Sequence, residues 1–275
     1  MQSPRDAGRD SVRSDRRIVR ILRVAAYLVL VLPLLPLVLF VRLLEAAMAL
    51  TKGGRSTFFP RNTFPWAESL ESGFSLLRRE VDSVLADVDA VPSYQDVSPD
   101  QRLLNQDDKW KSMIFFVFGS RIDRNCRQCP ETARHLERIP GLIYAMFSIV
   151  KPGKHIPAHR GPYGGALNCH LALKVPEPQE QARIRVGKDI RSWQEGKLLV
   201  FNDRHEHEVW NDSDTTRVVL LMYVVRPLPF PLSTLNEGVM WLAQRTPRVR
   251  ALIRTANAGP ANATLAATQA SARSA

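Results

Sequence analysis

The chain has 275 residues and a mass of 31.0 kDa, is 45% hydrophobic and 24% charged, and carries a net charge of +11 from 38 Lys and Arg against 27 Asp and Glu. This composition excludes a collagen, a disordered tail protein and a polytopic transporter, and three cysteines exclude a disulfide-built secreted scaffold. The basic excess favours an anionic partner: a membrane surface, nucleic acid or an acidic substrate.

Residues 1–23 hold seven arginines and three aspartates, with almost no apolar residue before Ile18, and read as a solvated basic tail. Residues 24–41 (VAAYLVLVLPLLPLVLFV) carry no charge. A spanning helix needs about 20 apolar residues, so an anchor over 24–50 is long enough. Pro33 and Pro36 would break a soluble helix but are tolerated in lipid. The expectation is an N-terminal membrane helix, or a kinked helix lying partly in the membrane. The arginine flank favours a cytoplasmic amino terminus. A single span would then export the rest of the chain. A wedge bent at the prolines would keep it in the cytoplasm.

Residues 51–107 read as a Gly- and Pro-rich linker (52–65), a helix (66–91) and a polar loop. From Trp110 short apolar runs follow one another: SMIFFVFG, GLIYAMFSIV, NCHLALKV, ARIRVG, KLLVFND, HEHEVW and TTRVVLLMYVV. Broken by Gly, Pro, Asn and Asp, they predict an antiparallel barrel or sandwich over 108–230, with a helix near Cys126 to Glu137. Residues 231–255 read as amphipathic helices interrupted at Pro247, and 256–275 as a disordered Ala/Thr/Ser-rich tail. Cys126 and Cys129 form a lone CxxC without the second pair of a zinc site. Asn211 and Asn262 match glycosylation sequons at chance level.

Five of the six histidines (His155, His159, His170, His205 and His207) fall on or beside predicted strands in one short window. Such convergence points to a metal site. On a strand alternate residues share a face, so His205 and His207 should point one way and Glu206 and Glu208 the other. Beyond a turn, Arg217 opens the next strand, and a hairpin would set it beside Glu208. A guanidinium at the start of a buried strand needs an anion. Glu208 is the internal candidate; a bound acid, held bidentately, is the external one.

These residues resemble the aspartyl/asparaginyl β-hydroxylases, a group of iron(II)- and 2-oxoglutarate-dependent oxygenases with bacterial lipid-hydroxylating relatives. The matching motifs are PGKHIPAHRGP, the CHLAL strand, WQEGKLLVFND, and HEVW followed by Arg217, with a looser match back to KWKSMIFFVFG. The resemblance implies a double-stranded β-helix, a jelly-roll or cupin-like barrel. It places iron on His159 and His207, 2-oxoglutarate on Arg217, and supporting contacts on Ser148, His170 and Trp110. Succinate and CO2 would be co-products, O2 the oxidant, and the substrate a protein Asp/Asn side chain or a membrane-lipid acyl chain. His205 receives no role.

Two departures stand out. Gly161 occupies the position where many iron oxygenases carry the acid of a two-histidine, one-carboxylate site. The resemblance implies that the eukaryotic protein hydroxylases also lack it and that bacterial lipid hydroxylases keep an Asp, so Gly161 leans against a close lipid A match. Asn168 replaces a co-substrate arginine; Arg183 or Arg185 on the next strand is the candidate substitute. They keep open an inactive cupin-like binding module as the alternative. The expected partners are a membrane and a lipid or protein substrate. Nucleic acid is not expected, since no aromatics interleave the tail arginines. The catalytic domain is expected to be membrane-anchored and to face the cytoplasm, where reduced iron and 2-oxoglutarate are found.

Overall fold

The computed structural model describes residues 35–97, 104 and 107–258. The expected basic tail, the first part of the expected anchor (24–34) and residues 259–275 lie outside them. The chain divides into two compact units, Met1–Ala47 and Met48–Ala275. At the boundary, α1 (Leu35–Ala49) is a 15-residue helix with Leu35, Val38, Leu39 and Leu43 exposed. Among the described residues no helix is long and apolar enough to cross a membrane, so the expected N-terminal membrane helix finds no support there.

The second unit is mainly β, with helices around it. A seven-stranded sheet runs β1 (Phe58–Phe59), β9 (Leu198–Phe201), β6 (Ala166–Lys174), β11 (Arg217–Val225), β4 (Leu142–Val150), β2 (Trp110–Val117), β3 (Ser120–Arg121). A four-stranded sheet runs β5 (Lys154–His159), β10 (His207–Asn211), β7 (Ala182–Val186), β8 (Asp189–Ser192). The described pairings are antiparallel.

The large sheet is covered on both faces, which is why its strands are nearly continuous apolar runs. Its outer side chains, among them Phe115, Phe147, Cys169, Leu171, Leu220 and Met222, pack against α2 (Ala67–Ser72), α3 (Phe74–Leu85), α5 (Asp123–Gln128) and α6 (Pro130–Leu136). Its inner side chains, with Ile156, Ile184 and Val209 of the small sheet, fill the space between the sheets. The period-two rule of strands then sorts each strand in two. On β11, Arg217, Val219, Leu221 and Tyr223 face inward and Val218, Leu220, Met222 and Val224 face the helices.

Several readings are refined. The helix expected over 66–91 breaks at Gly73, where a Cβ would overlap the His135 ring. The helix near Cys126 is two helices, α5 and α6, divided at Cys129–Pro130. Residues 52–65 are built onto the barrel: β1 pairs with β9, and Phe58 and Phe64 are buried. The 92–107 stretch contains a short helix, α4 (Tyr94–Val97). β10 and β11 are not a hairpin pair; they belong to different sheets and face each other across the interior. The C-terminal helices are α7 (Leu232–Gln244) and α8 (Pro247–Ala258).

Cys126 and Cys129 are core residues rather than a chemical pair. Burial pushes both thiols up, Cys129 to about 12, which suppresses the thiolate that redox or zinc chemistry needs. Asn211 is fully buried and its amide donates to the carbonyls of Val150 at 2.9 Å and Thr215 at 2.9 Å, which leaves no acceptor for a glycan.

Candidate active site

A cavity of about 90 Å³ lies between the sheets. Its walls include Trp110 from β2, Ser148 from β4, His159 from β5, His170 from β6, His207 from β10 and Arg217 from β11. The six residues singled out in the sequence thus meet in one place, each inward-facing on its strand.

His159 and His207 are cross-strand partners in the β5–β10 ladder, with ring centroids 4.1 Å apart. The ladder is irregular between His207 and Val209: two steps along β10 match three along β5. This bulge reverses the alternation of β5, turning both Ile156 and His159 inward while His155 stays outside. His155 instead stacks on Trp210 and meets Glu208 at 3.0 Å on the outer face. Both inward rings are oriented by the backbone. Nδ1 of His159 donates to the Pro157 carbonyl at 2.8 Å, and Nδ1 of His207 to that of His205 at 3.1 Å. A carbonyl only accepts, so the proton sits on Nδ1 and Nε2 is the lone-pair nitrogen. Burial lowers both pKa values, that of His207 to about 4, so both imidazoles are neutral. His205 is not on the strand; it lies in the turn before β10 and contributes only its carbonyl.

Arg217 is 1% exposed, and its Nε and Nη1 have no hydrogen-bond partner. Glu208, the internal candidate, is engaged elsewhere: it takes Nε of Arg185 at 2.6 Å and His155 on the outside of the small sheet. The Arg217 guanidinium lies 4.5 Å over the ring of Trp193, which also stacks with His170. Both His170 nitrogens and Nε1 of Trp193 are buried without partners. Burial, then the Arg217 charge, holds His170 well below the usual histidine range, so it too is neutral. Trp110 donates Nε1–H to Ser148 Oγ at 3.0 Å, fixing that hydroxyl on the wall. A cluster of buried donors around an unpaired cation is electrostatically incomplete and fits a small carboxylate.

Gly161 now has a physical reason. A Cβ there would overlap the carboxylate of Asp203, which is fully buried behind it and whose backbone carbonyl accepts the Gly161 N–H at 2.8 Å. Neither Asp203 oxygen makes a well-formed hydrogen bond; burial raises its carboxyl to about 6, opposed chiefly by the neighbouring Tyr223 hydroxyl. Among the described residues no group of three His, Cys, Asp or Glu converges as a metal centre. The donor set is therefore a pair of neutral imidazoles with an acid close by. Such a set suits iron(II) and leaves the rest of its coordination sphere to other ligands.

The substitutes considered for Asn168 are excluded. Arg183 pairs with Asp212 at 2.6 Å and lies over Trp210, and Arg185 pairs with Glu206 and Glu208, all on the outer face. Asn168 lines the cavity on β6, opposite Tyr223 in register, with its Oδ1 unpartnered. Sequence reasoning missed Trp193, Asp203 and Tyr223 as parts of the site. Tyr223 was accessible, six residues beyond Arg217 on one strand and hence on the same face. Trp193 and Asp203 sit just outside β8 and β9, where alternation gives no guidance.

The inward histidine and arginine side chains of this two-sheet barrel lie within residues 71–227, which match the family model described as aspartyl/asparaginyl beta-hydroxylase. The chain belongs to that family. It is 44% identical over 199 residues to the ornithine lipid ester-linked acyl 2-hydroxylase of Rhizobium tropici, covering 72% of this chain and 71% of that one. It is 32% identical over 165 residues to human aspartyl/asparaginyl beta-hydroxylase, covering 58% of this chain but 21% of the human one. Among solved structures, a cupin 2 conserved barrel domain protein from Salinispora arenicola aligns at 11% identity and a TM-score of 0.30, over 51% of this chain and 92% of that one. At that score the likeness carries no weight; the barrel rests on the strand order itself.

Proposed function

We propose that the chain hydroxylates an acyl chain of a membrane lipid, using iron(II), 2-oxoglutarate and O2. The observation that carries the chemistry is the buried Arg217, with Nε and Nη1 lacking hydrogen-bond partners, beside two neutral, backbone-oriented histidines. The lipid substrate is favoured by the lipid-hydroxylating relative, which matches over most of both chains.

In this reading His159 and His207 hold the metal through Nε2, and their Nδ1–H bonds to carbonyls set the ring planes. Arg217 binds the far carboxylate of 2-oxoglutarate, with its guanidinium lying over the Trp193 ring. Ser148, positioned by Trp110, and His170 offer further hydrogen bonds to the same acid. Iron(II) with 2-oxoglutarate and O2 supplies the oxidising power to place a hydroxyl on an unactivated C–H, leaving succinate and CO2. The apolar wall of Ile156, Ile184, Phe201, Val209 and Leu221 keeps the interior dry. The domain sits at the membrane facing the cytoplasm.

The test is lipid mass spectrometry with and without the gene, seeking a 16-dalton loss from an acyl-containing fragment. Purified protein should also form succinate only when iron(II) is present. Absence of both leaves the inactive binding module as the reading.

A further inference from the structure

The barrel leaves one face of α7 bare. Asn236, Met240 and Ala243 turn towards the protein, whereas Leu235, Trp241 and Leu242 are 40%, 57% and 43% exposed, and Phe230 just before the helix is 84% exposed. Large apolar side chains left bare along one helix of a folded surface point to an interaction site. The charges of this segment are mainly of one sign. Arg245, Arg248, Arg250 and Arg254 are exposed, and Glu237 is the single acid of residues 231–258. The Arg245 guanidinium lies 3.6 Å over the Trp241 ring, joining a cation to an exposed aromatic. Aromatic rings and arginines beside an apolar stripe are the composition of helices that lie in the headgroup layer.

We propose that α7 and the arginines of α8 seat the barrel on an anionic bilayer and hold the mouth of the cavity against it. The charge pattern argues for lipid over a second copy of the chain, because two such faces would bring like-charged arginines together across a two-fold axis. The coupling to the cavity is direct. Asn236, fully buried, donates to the Gly165 carbonyl at 2.8 Å and accepts from the Tyr163 hydroxyl at 2.9 Å. A Cβ at Gly165 would overlap both side chains, so the fit is close. This loop continues back through Pro162 and Gly161 to Arg160, all of which line the cavity. The helix is thus clasped to the rim, and its depth in the bilayer sets the depth of the opening. That the docked rim receives an acyl chain rests on the hydroxylase reading; the docking itself does not.

The experiment mixes full-length protein with phosphatidylcholine vesicles, with or without one-third phosphatidylglycerol, whose acyl chains carry bromine as a tryptophan quencher. The apolar run at 24–41 can itself attach the chain to lipid, so the readout is confined to Trp241. Quenching on anionic vesicles is expected, and Trp241→Phe should abolish it although Trp66, Trp110, Trp193 and Trp210 remain. In Arg250→Gln/Arg254→Gln, with an unchanged melting temperature, the affinity that gives Trp241 quenching should fall about thirtyfold, the equivalent of about 1 kcal/mol for each arginine. Quenching that persists in Trp241→Phe, or that is equal on neutral vesicles, overturns the proposal. A vesicle-independent, concentration-dependent change at Trp241 overturns it in favour of a second copy. His159→Ala separates the two readings: it should lose iron yet be quenched like the wild type.

Discussion

Arg217 carries the co-substrate proposal because, among the described residues, no acid pairs with it. A buried charge stripped of its partner costs about 3–5 kcal/mol, and each 1.4 kcal/mol is tenfold in affinity. Arg217→Ala should therefore raise the apparent 2-oxoglutarate constant at least a hundredfold while iron(II) content, measured by metal analysis, stays at the wild-type level. An unchanged constant would place the acid elsewhere. The companion prediction concerns the shared space of Gly161 and Asp203. Gly161→Asp should lower the melting temperature and the iron content, because its side chain collides with a buried carboxylate. Gly161→Asp/Asp203→Gly, which moves the acid instead of adding one, should recover both. If the double variant is worse than the single, the two positions do not compete. At this scale the six named residues were legible from motif resemblance. Asp203 was not, because the clash that ties it to Gly161 joins positions 42 apart through folding.

The elements owe their positions to contacts that sequence periodicity does not carry. The β5 bulge is the clearest case. His155 and His159 have the same parity, and simple alternation would put both on one face; one unpaired residue in the ladder puts one outside and one in the cavity. The helix that covers the large sheet shows the same point. Glu80 of α3 caps α6, accepting the backbone N–H groups of Glu131 at 2.7 Å and Thr132 at 2.8 Å and the Thr132 hydroxyl at 2.6 Å. No local capping signal precedes Pro130, so the cap arrives from another helix. Glu80→Ala should cost about 2 kcal/mol of stability, the upper range for a lost cap, read as a lower denaturant midpoint with unchanged iron affinity. Conversely, the strands of the large sheet were easily found, because burial on both faces leaves long apolar runs.

For the whole molecule, the mainly β barrel and its C-terminal helices were legible, and the partition of strands between two sheets was not. β10 and β11 are neighbours in sequence, so the short turn at 211–214 read as a hairpin. Burial of Asn211 in that turn instead sends the chain across to the other sheet. The crossing puts His207 and Arg217 on opposite walls of one cavity. Orientation at the membrane is testable at the same scale. A reporter active only outside the cytoplasm, fused at the carboxy terminus, should stay silent. A signal from it would export the barrel and make a protein side chain the better substrate.

The unanswered guanidinium also has a consequence for the cell. In the proposed reading, the buried cation of the native state gains its counter-charge only when a small dicarboxylate binds. Any ligand that binds the folded form alone adds RT ln(1 + [L]/Kd) to its stability, about 2.7 kcal/mol at a hundredfold excess over Kd. The acid is thus a lodger that props up the house. If Arg217 binds a dicarboxylate as proposed, a shortage of that acid leaves the folded form less stable, and the abundance of the protein should fall with the supply.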